Sequence, residues 1–275
     1  MEFRARLYGF ESDGPALVLL HGFPASSLMW EGLAQEAVRR GLRVLAYDQR
    51  GYSPGARPQG CKDYQIKDYL GDLQAITRTL GLESFHLVGH DIGAVVAWSA
   101  AMAWPHRLRS LNALSIPNPE VLPIRPYVRL LALPRLPEAI LQAGGSRRLR
   151  SMLPEGCSAE EAEEYRQILT EPGALTAALN FYRSVNASLR DLRTRLSAPI
   201  RVSTRFTYGA GEGWVRPAYL AAQAKRMEPG VPLEVAKIEG AGTRGHFLIE
   251  TRPELVIEGI LDHVQRVERN LASEA

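Results

Sequence analysis

The stretch Phe85-His86-Leu87-Val88-Gly89-His90-Asp91-Ile92-Gly93-Ala94 decides the fold. An apolar run drives into Gly-x-Asp-x-Gly, and Ala94, Val95, Val96, Ala97, Ala100 and Ala101 carry on at once as an apolar helix pattern. A strand that turns directly into a helix between two glycines is the pattern of a nucleophile elbow, whose central side chain stands exposed. A Cβ at either glycine would crowd the adjoining strand or helix. Serine is the usual residue at the centre of such a turn, and this chain carries Asp91. A serine there makes acyl-enzymes, whereas a carboxylate attacks alkyl carbon and leaves an alkyl ester on the protein. Asp91 as a plain helix N-cap would account for the aspartate. It accounts for neither the paired glycines nor the apolar strand before them.

On both sides of the elbow, strand-like runs at 16–20, 43–47, 85–88, 108–115, 200–208 and 233–238 alternate with helix patterns such as 64–80 and 217–227. That alternation predicts an α/β fold with a mostly parallel sheet and crossover helices. From Pro117 the character changes. Prolines cluster at 117, 119, 123, 126, 134 and 137, then helix patterns run over 159–169 and 174–190 with no strand between them. The expected organisation is a core of residues 1–116 and 198–275 interrupted by a helical lid, residues 117–197. Set at the carboxyl edge of the sheet, the lid would roof the crevice where open α/β sheets bind ligands.

An elbow enzyme needs a nucleophile, an acid and a histidine, in that chain order. Asp91 comes first. Among the six histidines, His246 alone falls in a glycine-rich loop after the last strand pattern, Glu239-Gly240-Ala241-Gly242-Thr243-Arg244-Gly245-His246-Phe247. A loop histidine is often merely solvated, but this one completes the order and can take a proton from water near neutral pH. Glu212, in the turn after the strand ending near Tyr208, is the orienting acid, with Glu120 as the alternative. Two backbone N–H groups, those of Phe23 in His21-Gly22-Phe23-Pro24 and of Ile92 after the elbow, supply an oxyanion hole.

Bulk properties exclude several classes. The 275 residues, 45% hydrophobic and 23% charged, make a globular chain rather than a disordered or fibrous one. The net charge of +3 comes from arginines scattered singly or in pairs, so nucleic acid is not an expected partner. Cys61 and Cys157 have no metal-ligand or disulfide-framework spacing. The start Met1-Glu2-Phe3-Arg4-Ala5-Arg6 lacks a signal-like apolar stretch, and no run reaches the roughly 18 apolar residues of a membrane span. A cytoplasmic location is expected, with a homodimer left open.

Four stretches resemble the epoxide hydrolase branch of the α/β-hydrolase superfamily over nearly the whole chain. They are His21-Gly22-Phe23-Pro24, Asp48-Gln49-Arg50-Gly51-Tyr52-Ser53, Val88-Gly89-His90-Asp91-Ile92-Gly93 and Gly245-His246-Phe247. The resemblance implies an α/β-hydrolase fold with a cap, hydrolysis of a hydrophobic epoxide to a vicinal diol, and no metal or cofactor. It also implies two cap tyrosines that bind the epoxide oxygen. Tyr182, in Leu179-Asn180-Phe181-Tyr182-Arg183, looks like one, and Tyr127, after Pro126, looks like the other. Either could instead be a packed tyrosine on an amphipathic helix. The chain departs from the pattern in three places: Ile92 stands for a common tryptophan, Glu212 for the more frequent aspartate, and Thr243-Arg244-Gly245 looks inserted before the histidine. Haloalkane dehalogenases also use an aspartate elbow, but they cradle halide with a tryptophan where this chain has Ile92, and with an asparagine or second tryptophan where it has Phe23. A hydrolase-fold binding protein without turnover is the non-enzymatic alternative.

Overall fold

The computed structural model describes residues 1–121, 125–143, 149, 151–195, 198–213, 215–242 and 245–274. Seven strands form one sheet: β1 Ala5–Tyr8, β2 Ala16–Leu20, β3 Arg43–Tyr47, β4 Phe85–His90, β5 Leu108–Leu114, β6 Thr204–Gly209 and β7 Leu233–Ile238. Their order is β1-β3-β2-β4-β5-β6-β7. β1 pairs antiparallel with β3, and every other pairing is parallel.

β2 and β4 are buried at every position, as expected of central parallel strands covered on both faces. Alternation sorts their side chains. Leu17 and Leu19 join one core cluster, with Val44, Ala46 and Val88, while Val18 and Leu20 join the other, with Leu45, Phe85 and Leu87. Helices α1 (Glu31–Arg39) and α10 (Pro253–Glu274) cover the first face, and α2 (Ile66–Thr79) and α3 (Ile92–Ala103) cover the second.

Between β5 and β6 the chain forms α4 (Pro126–Leu131), α5 (Leu136–Gln142), α6 (Ala159–Thr170) and α7 (Ala174–Arg195), with no strand among the described residues. The prolines that mark this stretch do not prevent helix. Pro126 and Pro137 sit in the first turns of α4 and α5, where a missing N–H costs nothing. Ser158 and Glu161 form a capping box that starts α6. After β6 come α8 (Pro217–Ala224) and, past β7, the short α9 (Leu248–Thr251).

Two details differ from the sequence reading. β1 is a half-exposed strand without an apolar run, so periodicity did not reveal it. The sixth strand begins at Thr204 rather than at 200, because Ile200 makes only an isolated bridge to Met227. Among the described residues, no helix is long and apolar enough to cross a membrane.

Candidate active site

Asp91 sits between the end of β4 and the start of α3 with φ 52° and ψ −117°, a left-handed conformation that a non-glycine residue adopts at a cost of about 1–3 kcal/mol. Its carbonyl accepts the N–H groups of Ala94 and Val95, so the backbone begins the helix, yet its side chain makes no capping bond. The carboxylate is thereby released from the role of a plain N-cap. The glycines explain how the turn closes. A Cβ on Gly89 would lie 2.2 Å from the Gly93 carbonyl oxygen, and one on Gly93 would lie 2.1 Å from that of Leu20.

Asp91 faces a cavity of about 360 Å³ lined also by Phe23, Leu131, Met152, Tyr127, Tyr182, His246 and Phe247. His246 Nε2 is 3.4 Å from Asp91 Oδ2, and its Nδ1 is 2.8 Å from Glu212 Oε1. Glu212 lies in the turn after β6 and is 2% exposed. Glu120 is turned elsewhere, with an oxygen 2.8 Å from Arg226. Gly245 and His246 are described, whereas Thr243 and Arg244 lie outside the described residues.

The three groups share charge. Burial favours protonated Asp91, but the hydrogen bond and charge of His246, then His90 and the Ile92 N–H, hold the carboxyl below its ordinary value. Burial disfavours charged His246, yet its bonds to Asp91 and Glu212 raise it to about 10. Burial pushes Glu212 up to about 7 against the pull of His246. At neutral pH the resting site therefore holds an imidazolium between two acidic groups.

Phe23 N–H donates to Asp91 Oδ1 at 3.1 Å, leaving Oδ2 on the side of His246. Buried His21 places the Phe23 loop. Its Nε2 accepts the Gln49 N–H at 2.9 Å, and its Nδ1 is left to donate to the Gly22 carbonyl at 3.0 Å. Asp48 Oδ1 accepts from Ser27 N–H, and Arg50 clamps Asp72 of α2 through both carboxylate oxygens at 2.6 and 2.7 Å. Asp48 and Gln49 thus hold the segment that carries Phe23, while Arg50 ties the stretch to α2.

Tyr182, on α7, is 5% exposed and packs edge-to-face on Phe23 with centroids 5.9 Å apart. Burial first, then the charge of Asp91, keeps its phenol well above the ordinary value, so it stays protonated. Tyr127, on α4, lines the same cavity, although 41% of its surface is exposed. Its phenol is also raised, by burial and then by Asp91.

Two further residues support the site, and sequence reasoning did not single them out. The main-chain carbonyl of His246 accepts from Ser115 Oγ at 2.7 Å and from His90 Nε2 at 2.8 Å. Ser115 follows β5 with φ 68°, a second strained position at the carboxyl edge of the sheet. Burial lowers His90 to about 4, so it remains a neutral donor. Adjacency to the elbow was the available signal for His90. Ser115 carried none, because its role depends on β5 lying beside β4.

Known proteins share this arrangement of strands and loops. A family model of the alpha/beta hydrolase fold matches residues 15–151. AB hydrolase superfamily protein YfhM of Bacillus subtilis is 34% identical over 207 residues, 69% of this chain and 72% of that one. Epoxide hydrolase A of Mycobacterium tuberculosis is 26% identical over 306 residues, covering 94% and 92%. The crystal structure of epoxide hydrolase A from Mycobacterium thermoresistibile superposes with a TM-score of 0.83 at 26% identity, covering 96% of this chain and 95% of its own. By this similarity, spanning sheet, elbow and histidine loop together, the chain belongs to the α/β-hydrolase superfamily.

Proposed function

We propose that the protein is an epoxide hydrolase, with residues 117–197 as a cap over the sheet edge and Asp91 as the nucleophile. The observation that carries the reading is that Tyr127 and Tyr182 line the same cavity as Asp91. Phenols across a pocket from a carboxylate suit a three-membered ether, whose oxygen needs a proton as its carbon is attacked. Relatives named epoxide hydrolases support it from outside.

The mechanism follows from the charges. Tyr127 and Tyr182 donate to the epoxide oxygen while Asp91 Oδ2 attacks a ring carbon, breaking one C–O bond and forming an alkyl ester. A tyrosine gives its proton to the alkoxide and is replenished by His246, so the imidazolium of the resting site supplies the proton that ring opening consumes. Alkylation converts Asp91 into a neutral ester and removes one of the two anions that hold the proton on His246. The histidine becomes a free base at the step that needs one. It deprotonates water, hydroxide adds to the Asp91 carboxyl carbon, and collapse releases the diol and restores the imidazolium–carboxylate pair. Oδ1 stays against the Phe23 and Ile92 N–H groups, which stabilise the tetrahedral oxyanion, each donor contributing about 3–4 kcal/mol in a serine protease of similar logic. Glu212 orients the imidazole.

Single turnover of styrene oxide in heavy-oxygen water tests the covalent step. The first diol should carry an unlabelled Asp91 oxygen while the label enters the protein. Immediate labelling of the diol rejects the ester. Phe substitution at Tyr127 and at Tyr182 should each slow alkylation, and an unchanged rate in both rejects the epoxide assignment.

A further inference from the structure

Helix α4 contains no buried residue, which is unusual for a helix bearing Val128, Leu130 and Leu131. Leu130, Leu133 and Leu136 are 48%, 42% and 45% exposed, and with Tyr127 they supply four of the nine large apolar residues exposed among the described residues. All four fall within ten residues of one another. Exposed apolar side chains usually occur singly, and a cluster marks a binding surface.

Charge says what binds it. Exposed Arg129 adjoins Leu130, and exposed Arg135 stands between Leu133 and Leu136. By sequence, residues 125–152 carry six arginines and one acid, Glu138, a net +5 in a chain of net +3, so the rest of the chain is net negative. Arg147, Arg148 and Arg150 lie outside the described residues, and the described exposed charge is that of Arg129 and Arg135. Glu138 is paired with Arg183 at 2.7 Å and so does not neutralise exposed Arg129 or Arg135. Arg183 also donates to the Leu133 carbonyl at 3.1 Å, pinning the α4–α5 turn on α7 so that the face is presented as a fixed shape.

We propose that this leucine–arginine face docks the protein on an anionic lipid surface. Guanidinium groups pair with lipid phosphates, leucines enter the boundary of the acyl chains, and the net negative remainder orients the molecule face-down. Nucleic acid would need aromatic or groove-reading groups interleaved with the arginines, and a stably associating protein would need a larger apolar face. The position gives the docking a use that rests on the epoxide reading: Leu131 and Met152 line the cavity beside this face, so an apolar substrate dissolved in lipid would meet the pocket mouth. The docking itself does not depend on what the site hydrolyses.

Co-sedimentation of the full chain with vesicles tests it without an activity readout. Vesicles of phosphatidylcholine mixed with phosphatidylglycerol should pellet the protein, pure phosphatidylcholine should not, and added salt should release it. Arg129→Glu and Arg135→Glu should each weaken partitioning about fivefold or more, the scale of one basic residue at an anionic surface. Leu130→Ser with Leu133→Ser should weaken it as well. All four side chains are exposed, and unchanged thermal midpoints would show the variants folded. Failure to pellet with the anionic vesicles, or equal pelleting with both compositions, overturns the proposal. So does a result in which the variants shift the sedimentation coefficient of the protein alone while vesicle binding persists, for the face would then join two copies of the chain.

Discussion

Glu212 Oε1 lies 2.8 Å from His246 Nδ1, a bond that fixes which imidazole nitrogen turns toward Asp91. Removing the charge while keeping the shape should leave the wrong tautomer available, an effect worth up to about 10⁴ in a serine triad. Glu212→Gln is expected to slow ester hydrolysis by about 10²–10⁴ and ring opening by less, so that alkylated protein accumulates. Rapid quench and mass measurement of the intact chain would show the adduct, and equal slowing of both steps would contradict the role.

The proton on His246 gives a pH prediction. With the resting imidazolium raised to about 10, the rate of alkylation should stay level from neutral pH to about 9 and fall as the group loses its proton above that. Acid should depress the same rate only when Asp91 is protonated, below the ordinary carboxylate range. Stopped-flow fluorescence over that range measures it, and a fall in alkylation centred near pH 6.5 would show that Asp91 and Glu212 do not hold the proton.

Ser115 separates positioning from folding. At φ 68° a glycine fits better than serine, so Ser115→Gly should melt at an equal or higher temperature. It nevertheless loses a donor to the His246 carbonyl and a side-chain bond to Glu212, and ester hydrolysis should fall about tenfold, as small misplacements of a base do. A stable variant with undiminished hydrolysis would show that the Ser115 bond is not needed to position the loop.

Glu250 sets the expected pH dependence of stability. Both of its carboxylate oxygens are buried with no hydrogen-bond partner among the described residues, and burial, then the charge of Glu161, raises it to about 8. A carboxyl with a folded pKa above its unfolded one binds more protons when folded. Its presence therefore costs nothing below about pH 4.5, and stability declines as pH rises from there through about 8. Glu250→Gln should be more stable than the parent by about 1–3 kcal/mol at pH 9 and indistinguishable at pH 4, read from denaturant melts.

What the sequence revealed divides along a physical line. The elbow was legible because its requirements are local: two glycines, an apolar strand before them and a helix pattern after. The parallel strands were legible because burial on both faces forces continuous apolar runs, as in β2. β1 was not, since an edge strand with half-exposed side chains has no such pattern. Helices α4 and α5 were hidden by prolines whose position in a first turn, and not their number, matters. Choosing between Glu212 and Glu120 required three-dimensional information, because both follow strand-like segments and only the sheet order shows which one meets the histidine loop. Ser115 was hidden for the same reason.

The side chains around the cavity come from two different kinds of support. Asp91, Glu212 and His246 stand on the edge of the sheet, whereas Tyr127 and Tyr182 ride on helices inserted between two adjacent strands. Under the proposed mechanism, exchange of that single insertion would change what oxygen is activated and how large a molecule is admitted, while the Asp91, Glu212 and His246 arrangement on the sheet stayed intact. One sheet could thus be refitted for different substrates by replacing a contiguous stretch of chain, with no need to rebuild its hydrolytic half.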